Sequence, residues 1–455
     1  MSRLGERRTP RKAHRNRQGP ATPDGTTVSG GAVEIERLSH DGRGVARDAA
    51  GKTLFVSDAL PGERVAVAVH ASRKRYDEAH VRERLITAAA RVAPPCAVYG
   101  RCGGCDLQHL AVVAQHEHKR EVLADQLRRQ GVAAPETIEL LAGAPLGYRR
   151  RARLGVRCDK AGEVHLGFRA RGSHHLVDVV DCPVLTPELA SLIAPLRALL
   201  PTLTAPRHVG HLELVAGETE RVVVVRQLRE QAEDARRWEA WGEANGVAVA
   251  WLVGREQPLW RWLGKPGTLR YTLKGGARDV TLAFAPGDFL QVNADVNRQL
   301  VQRALAWLAP SGDERVHDLF AGIGNFSLPL ATRVGEVTAL EGSAAMVQRL
   351  RDNALANGLG NVTARIHDLG IAPDWRDAPD IVVLDPPREG AEAACDALAS
   401  SAVPRVLYVA CDPATLARDA ARLVHGGYRL RRAAVADMFP QTAHLESMLL
   451  FERAG

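Results

Sequence analysis

No apolar run in this 455-residue chain approaches the ~20 residues that a helical membrane span needs, which excludes that class. The first residues are basic and polar and lack the apolar stretch of a secretory signal, so the chain is expected to be cytoplasmic. Cysteine is scarce, and its count of 7 is odd. Without a secretory context, structural disulfides are not expected, and metal-binding or nucleophilic roles come first. Strong charge on the folded body is also missing. The formal net charge is +7, but Arg3, Arg7, Arg8, Arg11, Lys12, Arg15 and Arg17 stand against Glu6 in the first segment. The rest of the chain is therefore near neutral, and the high pI is weak ground for nucleic-acid binding by the body. The tail alone could give salt-sensitive RNA affinity, or be only a solvated tail. Pro10 and Pro20 interrupt any long amphipathic helix there, against a mitochondrial presequence. There is no internal repeat.

What is present suits a soluble globular protein of about two to four domains, with 45% apolar and 25% charged residues. Residues 1–31 read as a basic disordered tail closed by Gly30-Gly31. Residues 32–90 read as five short strands split at Asp41-Gly42 and Pro61-Gly62, the pattern of a small barrel of the oligonucleotide-binding kind. A cysteine cluster follows, then an apolar-periodic helix over Leu110 to Gln130 closed by Gly131. Residues 91–285 alternate strands and helices as a central domain, on which or on whose neighbour that helix packs. Over 286–455 the pattern becomes regular βα units whose strands are continuous apolar runs. That implies a doubly wound, mostly parallel α/β sheet.

The chemistry-bearing residues sit at the ends of those strands. Val316–Phe320 runs into Ala321-Gly322-Ile323-Gly324, a glycine turn that opens a helix. Ser327 stands where a dinucleotide fingerprint wants a third small residue, so the turn fits NAD imperfectly. Glu341 ends the next strand, where an acid can take both ribose hydroxyls. Asp368 ends the third, and Asp385-Pro386-Pro387 follows the fourth. Together these acids read as an adenosylmethionine crevice, although any one of them alone is as well explained as a solvated strand end. Cys411 ends the strand after that, beside the start of a helix that can hold a thiol partly as thiolate. A thiol there has a use. Uracil C5 is a poor nucleophile until a thiolate adds at C6, after which C5 can take a methyl group and must lose its proton to a base. Glu446 is the candidate base.

At this point the residues resemble the RNA (uracil-5-) methyltransferases over roughly 32–453. The motifs that carry the resemblance are DFLQVNA from Asp288, DLFAGIGNF from Asp318, LDPPREG from Leu384, YVACDPATLARD from Tyr408 and MFPQTAHLESMLLF from Met438. The resemblance implies a Rossmann-like methyltransferase domain, with Gln291, Phe320, Asn325, Glu341, Asp368 and Asp385 around S-adenosylmethionine, Cys411 as nucleophile and Glu446 as base. Asp412 departs from the usual Asn, and its charge is expected to disfavour the thiolate. Cys96, Cys102 and Cys105, with Cys182 ahead of Pro183, supply four thiolates that suit either zinc or a four-iron cluster. The resemblance points to [4Fe-4S]. Cys158 and Cys395 have no assigned role. The barrel resembles the RNA-binding TRAM domain through GRGVAR from Gly42 and LPGE from Leu60. The basic stretch from Tyr148 to Arg171 is the best phosphate-binding face of the body. A barrel combined with a cluster resembles the branch that acts on 23S rRNA, by a base-flipping monomer with no obligate protein partner. Transfer RNA as substrate, an iron–sulfur RNA-binding protein without methyltransferase activity, and an iron–sulfur redox enzyme are the alternatives. The cysteines lack the Cys-x3-Cys-x2-Cys spacing of radical enzymes.

Overall fold

The computed structural model describes residues 28–373, 375 and 378–453. The basic tail lies outside them up to residue 27, and Val28 already starts a strand, earlier than the sequence pattern predicts.

The first compact unit is a six-stranded curled sheet, one strand more than expected. Val28–Glu34 pairs with Arg64–Ser72, which pairs with Tyr76–Ile86; Thr53–Ser57, Gly44–Arg47 and Arg37–Leu38 complete the order. Alternation along these strands sends Val33, Leu54, Val56, Val65 and Val67 into one small core.

Residues 90–453 fall in a second compact unit with two large sheets. The seven-stranded sheet is mostly antiparallel. Its one parallel pair, Arg221–Gln227 with Ala248–Val253, is joined by the helix Ala232–Asn245, which Gly246 ends in the left-handed conformation. Trp238 and Trp251 are fully buried in the core beneath it.

The eight-stranded sheet carries the chemistry. Its strands are β1 (Ile138–Leu141), β2 (Arg315–Leu319), β3 (Glu336–Glu341), β4 (Val362–Ile366), β5 (Ile381–Leu384), β6 (Arg405–Ala410), β7 (Tyr428–Ala436) and β8 (Glu446–Arg453). Their order is β4-β3-β2-β5-β6-β8-β7-β1. β2 to β6 are parallel, and β5 and β6 are buried on both faces, which is why their sequences are unbroken apolar runs. The order reverses between β2 and β5, so a crevice opens at their carboxyl ends. β8 then runs antiparallel to β6, with Ala410 opposite Ser447. This register brings the first residue of β8, Glu446, to the same sheet edge as Cys411.

Three segments before residue 286 join this sheet's cores. β1 adds a strand beside β7, and the hairpin Leu269–Lys274 with Asp279–Phe284 packs Leu273, Leu282 and Phe284 onto one face. The helix Val112–Arg129 lays Leu123 and Leu127 on the other.

Candidate active site

After β2 the backbone turns sharply: Phe320, Gly322 and Gly324 all have positive φ. A Cβ on Gly324 would sit 2.6 Å from the Leu328 side chain, so only glycine fits there. Glu341 holds the turn from the neighbouring strand. One of its oxygens accepts from Gly322 N at 3.0 Å, the other from Ser343 N at 2.8 Å. The Asn325 amide is engaged with Asn297 in both directions, at 2.9 and 3.0 Å, and Tyr271 donates to it at 3.1 Å. Asp368 is exposed and accepts from Gly370 N at 3.0 Å. Ser327, the residue that spoils a dinucleotide reading, donates its hydroxyl to Asp318. The other Asp318 oxygen is buried without a partner.

Acids accumulate in this crevice, and burial raises three of them. Asp318 is pushed up to about 7 by burial. Asp385 is pushed up to about 7 by burial and by the charge of Asp318. Glu446 is raised well above the ordinary carboxylate range by burial and by Asp385. Cys411 is pushed up to about 11, by burial first and then by Glu446, while Arg388 draws it down. Desolvation thus outweighs the helix start and favours the neutral thiol over the expected thiolate. Asp412 is not the cause. Its carboxylate caps the helix Pro413–His425, accepting from Ala414 N at 2.9 Å and Thr415 N at 3.0 Å.

Cys411 and Glu446 line one cavity of about 690 Å³. Gln291, Phe289, Arg388 and His444 line it too, and so do Cys96, Cys102, Cys105 and Cys182. Gln291, expected among the cofactor residues, thus lies on the same cavity as the thiol. Arg388, His444 and the exposed Phe289 were not singled out as site residues, although three of the quoted motifs contain them. Arg388 follows two prolines, and the Tyr408 hydroxyl and Asp419 both bind Ala391 N, which fixes the end of that turn.

The four cysteines are free and part-buried. Burial pushes Cys105 up to about 12 and Cys182 up to about 11, and each feels the other cluster thiols. N–H groups point at the sulfurs: Gly104 N at Cys102 Sγ (3.4 Å), and Val184 and Leu185 at Cys182. Cys395 is a buried core residue under its helix.

The basic stretch divides. Arg150 is buried over the Tyr271 ring at 4.6 Å and donates to the Gln291 carbonyl, and Arg151 pairs with Glu213 at 2.6 Å. Arg149 and Arg153 line the cavity. So part of the expected phosphate-binding face is internal scaffolding.

The family described as tRNA (Uracil-5-)-methyltransferase matches residues 112–369 and 374–454, and the TRAM domain matches 31–81. The chain is 60% identical to the 23S rRNA (uracil(1939)-C(5))-methyltransferase RlmD of Chromohalobacter salexigens, over 100% of this chain and 96% of that one. It is 56% identical to the protein of the same name from Halomonas elongata, over 99% and 97%. Among solved structures, it resembles the Pyrococcus abyssi tRNA (uracil-54, C5)-methyltransferase in complex with S-adenosyl-L-homocysteine. The TM-score is 0.73 at 22% identity, covering 92% of this chain and 100% of the other, a likeness of fold.

Proposed function

Because the chain belongs to the tRNA (uracil-5-)-methyltransferase family, we propose that it moves a methyl group from S-adenosylmethionine to C5 of a uridine in 23S rRNA, in the cytoplasm. The observation that carries this reading is the pairing of Cys411 with Glu446 on one cavity at the carboxyl ends of β5 and β6. These are the nucleophile and base that the chemistry requires.

Once its proton has passed to solvent, the Cys411 thiolate bonds to C6 of a flipped uracil, and the C5=C6 electron pair moves to C5 and O4. C5 then takes the methyl from the sulfonium, whose S–CH3 electrons stay on sulfur as S-adenosylhomocysteine leaves. Glu446 removes the C5 proton, the C5=C6 bond reforms, and the Cys411 thiolate departs. A carboxylate of ordinary pKa is a poor base, and burial makes Glu446 more basic than that. Arg388 is the cation that favours the thiolate when the cavity fills. Glu341, Asp368 and Asp385 would hold the donor with Phe320 and Gln291, and Asn325 braces the turn from its network with Asn297 and Tyr271.

Cys96, Cys102, Cys105 and Cys182 fit a [4Fe-4S] cluster. All four line one cavity, and the N–H groups aimed at sulfur suit the thiolates of a cluster. When bound, it supplies a cross-link between the segment before the helix Val112–Arg129 and the seven-stranded sheet.

The test is transfer of labelled methyl to 23S rRNA and, separately, to tRNA, with the product nucleoside mapped. Label appearing only in tRNA, or at a position other than uridine C5, overturns the reading. Anaerobic protein is expected to carry about four irons; zinc without iron overturns the cluster.

A further inference from the structure

The loop that leads to Glu446 is held from outside. Between the end of β7 and the start of β8, its groups bind segments from far earlier in the chain. Asp106 and Leu107 donate their N–H groups to the Gln441 carbonyl at 3.1 and 3.0 Å. The Asp106 side chain accepts from Ala443 N at 2.7 Å. Gln115, buried, accepts from Gln441 N at 3.0 Å and donates to the Gln441 side chain at 3.1 Å. Lys119 donates to Asp437 at 2.6 Å and to the Phe439 carbonyl at 3.1 Å, and Tyr148 donates to the Pro440 carbonyl at 2.9 Å. Gln441 itself sits at φ 69°, a conformation a non-glycine residue keeps only when its surroundings impose it.

From this lacework we infer that Asp106 and Gln115 are positioning residues for the proton-abstraction step: they set the loop Asp437–Leu445, and through it the place of Glu446. The inference rests on the reading of Glu446 as base. Asp106 holds the loop nearest its end, at Ala443, one residue before His444 on the cavity wall. It also directly follows Cys105, so the turn that bears a cluster ligand is hydrogen-bonded directly to the loop that leads to the base. Gln115 holds the same loop at its strained residue. Neither touches the thiol side: Cys411 leaves β6 and is fixed by the capped helix after it. Loosening the loop should therefore slow removal of the C5 proton while sparing attack by sulfur and methyl transfer.

The experiment separates those steps. RNA carrying tritium at uridine C5 and a carbon-labelled methyl donor report proton release and methyl transfer, and denaturing gels report the methylated protein–RNA adduct. Glu446→Gln is the reference and is expected to accumulate adduct. Asp106→Ala is expected to show methyl transfer within about threefold of the unaltered enzyme, proton release slowed at least about tenfold, and visible adduct. Asp106→Asn keeps an oxygen that accepts from Ala443 N, and is expected to restore proton release, which loss of a merely stabilising charge would not allow. Gln115→Ala should act like Asp106→Ala, and serves if the latter does not fold. Iron content and cofactor affinity, measured on each variant, should be unchanged. Equal slowing of both steps, or Asp106→Ala and Gln115→Ala without adduct while Glu446→Gln forms it, overturns the inference. Absence of adduct in Glu446→Gln itself would instead sink the reading of the base.

Discussion

The turn Phe320–Gly324 and the loop Asp437–Leu445 reach the same edge of one sheet, yet they are held by opposite means. The turn is fixed mainly by its own dihedral angles and by Glu341 on the adjacent strand, with Asn297 and Tyr271 engaging only Asn325 just beyond it. The loop is fixed by Asp106, Gln115, Lys119 and Tyr148, none of which belongs to the βα series. The cofactor side should therefore keep its shape when the rest of the chain is disturbed, whereas the base side depends on correct docking of the helix Val112–Arg129. The difference can be broken or sharpened by experiment.

The largest effect is expected at the thiol, which belongs to neither support. Cys411→Ala should lower methyl transfer more than about a hundredfold, because a covalent step worth several kcal/mol is gone, with cofactor affinity unchanged. Single-turnover rates and calorimetry check this, and residual activity above about a hundredth would remove Cys411 from the mechanism.

Next comes the buried anchor of the loop. Lys119 and Asp437 are each 1% exposed and pair at 2.6 Å, with His116 3.0 Å from the second Asp437 oxygen. Lys119→Met leaves Asp437 a buried charge short of its partner and should cost about 3–5 kcal/mol of stability. Urea unfolding reads this directly. A loss below about 1 kcal/mol would mean that the loop is not anchored there.

Glu341→Ala removes the acceptor that holds Gly322 and that would take ribose hydroxyls. Cofactor affinity should fall about 10- to 100-fold, while RNA affinity measured by filter binding stays put. An unchanged Kd would show that the turn holds itself without Glu341.

The smallest effect is in pH. Asp318 and Asp385 sit at about 7 in the ligand-free site, above their unfolded range. Protonated acids are thus favoured by folding, and this contribution to stability is lost as pH rises through about 7. A cationic methyl donor favours the ionised forms, so cofactor affinity should rise from about pH 6 to about pH 8, by at most about tenfold in all for each acid. A flat profile would mean that neither acid faces the donor.

The same contrast explains what the sequence discloses. Gly322, Glu341, Asp385 and Cys411 are legible because parallel strands deliver their carboxyl ends to one edge in order, and apolar runs mark those strands. Glu446 is legible through its motif, and the register of β8 on β6 explains its position. Asp106, Gln115 and Lys119 carry no such signal, since polar residues in a charged helix and a cysteine-rich turn look like any solvated surface. The upward push of burial on Cys411 also escapes the sequence. A helix start is visible in a string of residues, but the depth of burial that overrides it is not. The basic stretch misleads for the same reason, since nothing local tells Arg150, under the Tyr271 ring, from Arg153 on the cavity.

The clamp on the loop also has a history in time. Gln115 and Gln441 are 326 residues apart. At synthesis rates of about 5–20 residues per second, Gln115 leaves the ribosome roughly 15–65 s before its partner exists. Through that interval the helix Val112–Arg129 has no β7–β8 hairpin to lie against, and β1 has no β7 to pair with. Gln115 is thus made long before it is satisfied, and the loop Asp437–Leu445 that leads to Glu446 can take its clamped form only once it has itself emerged.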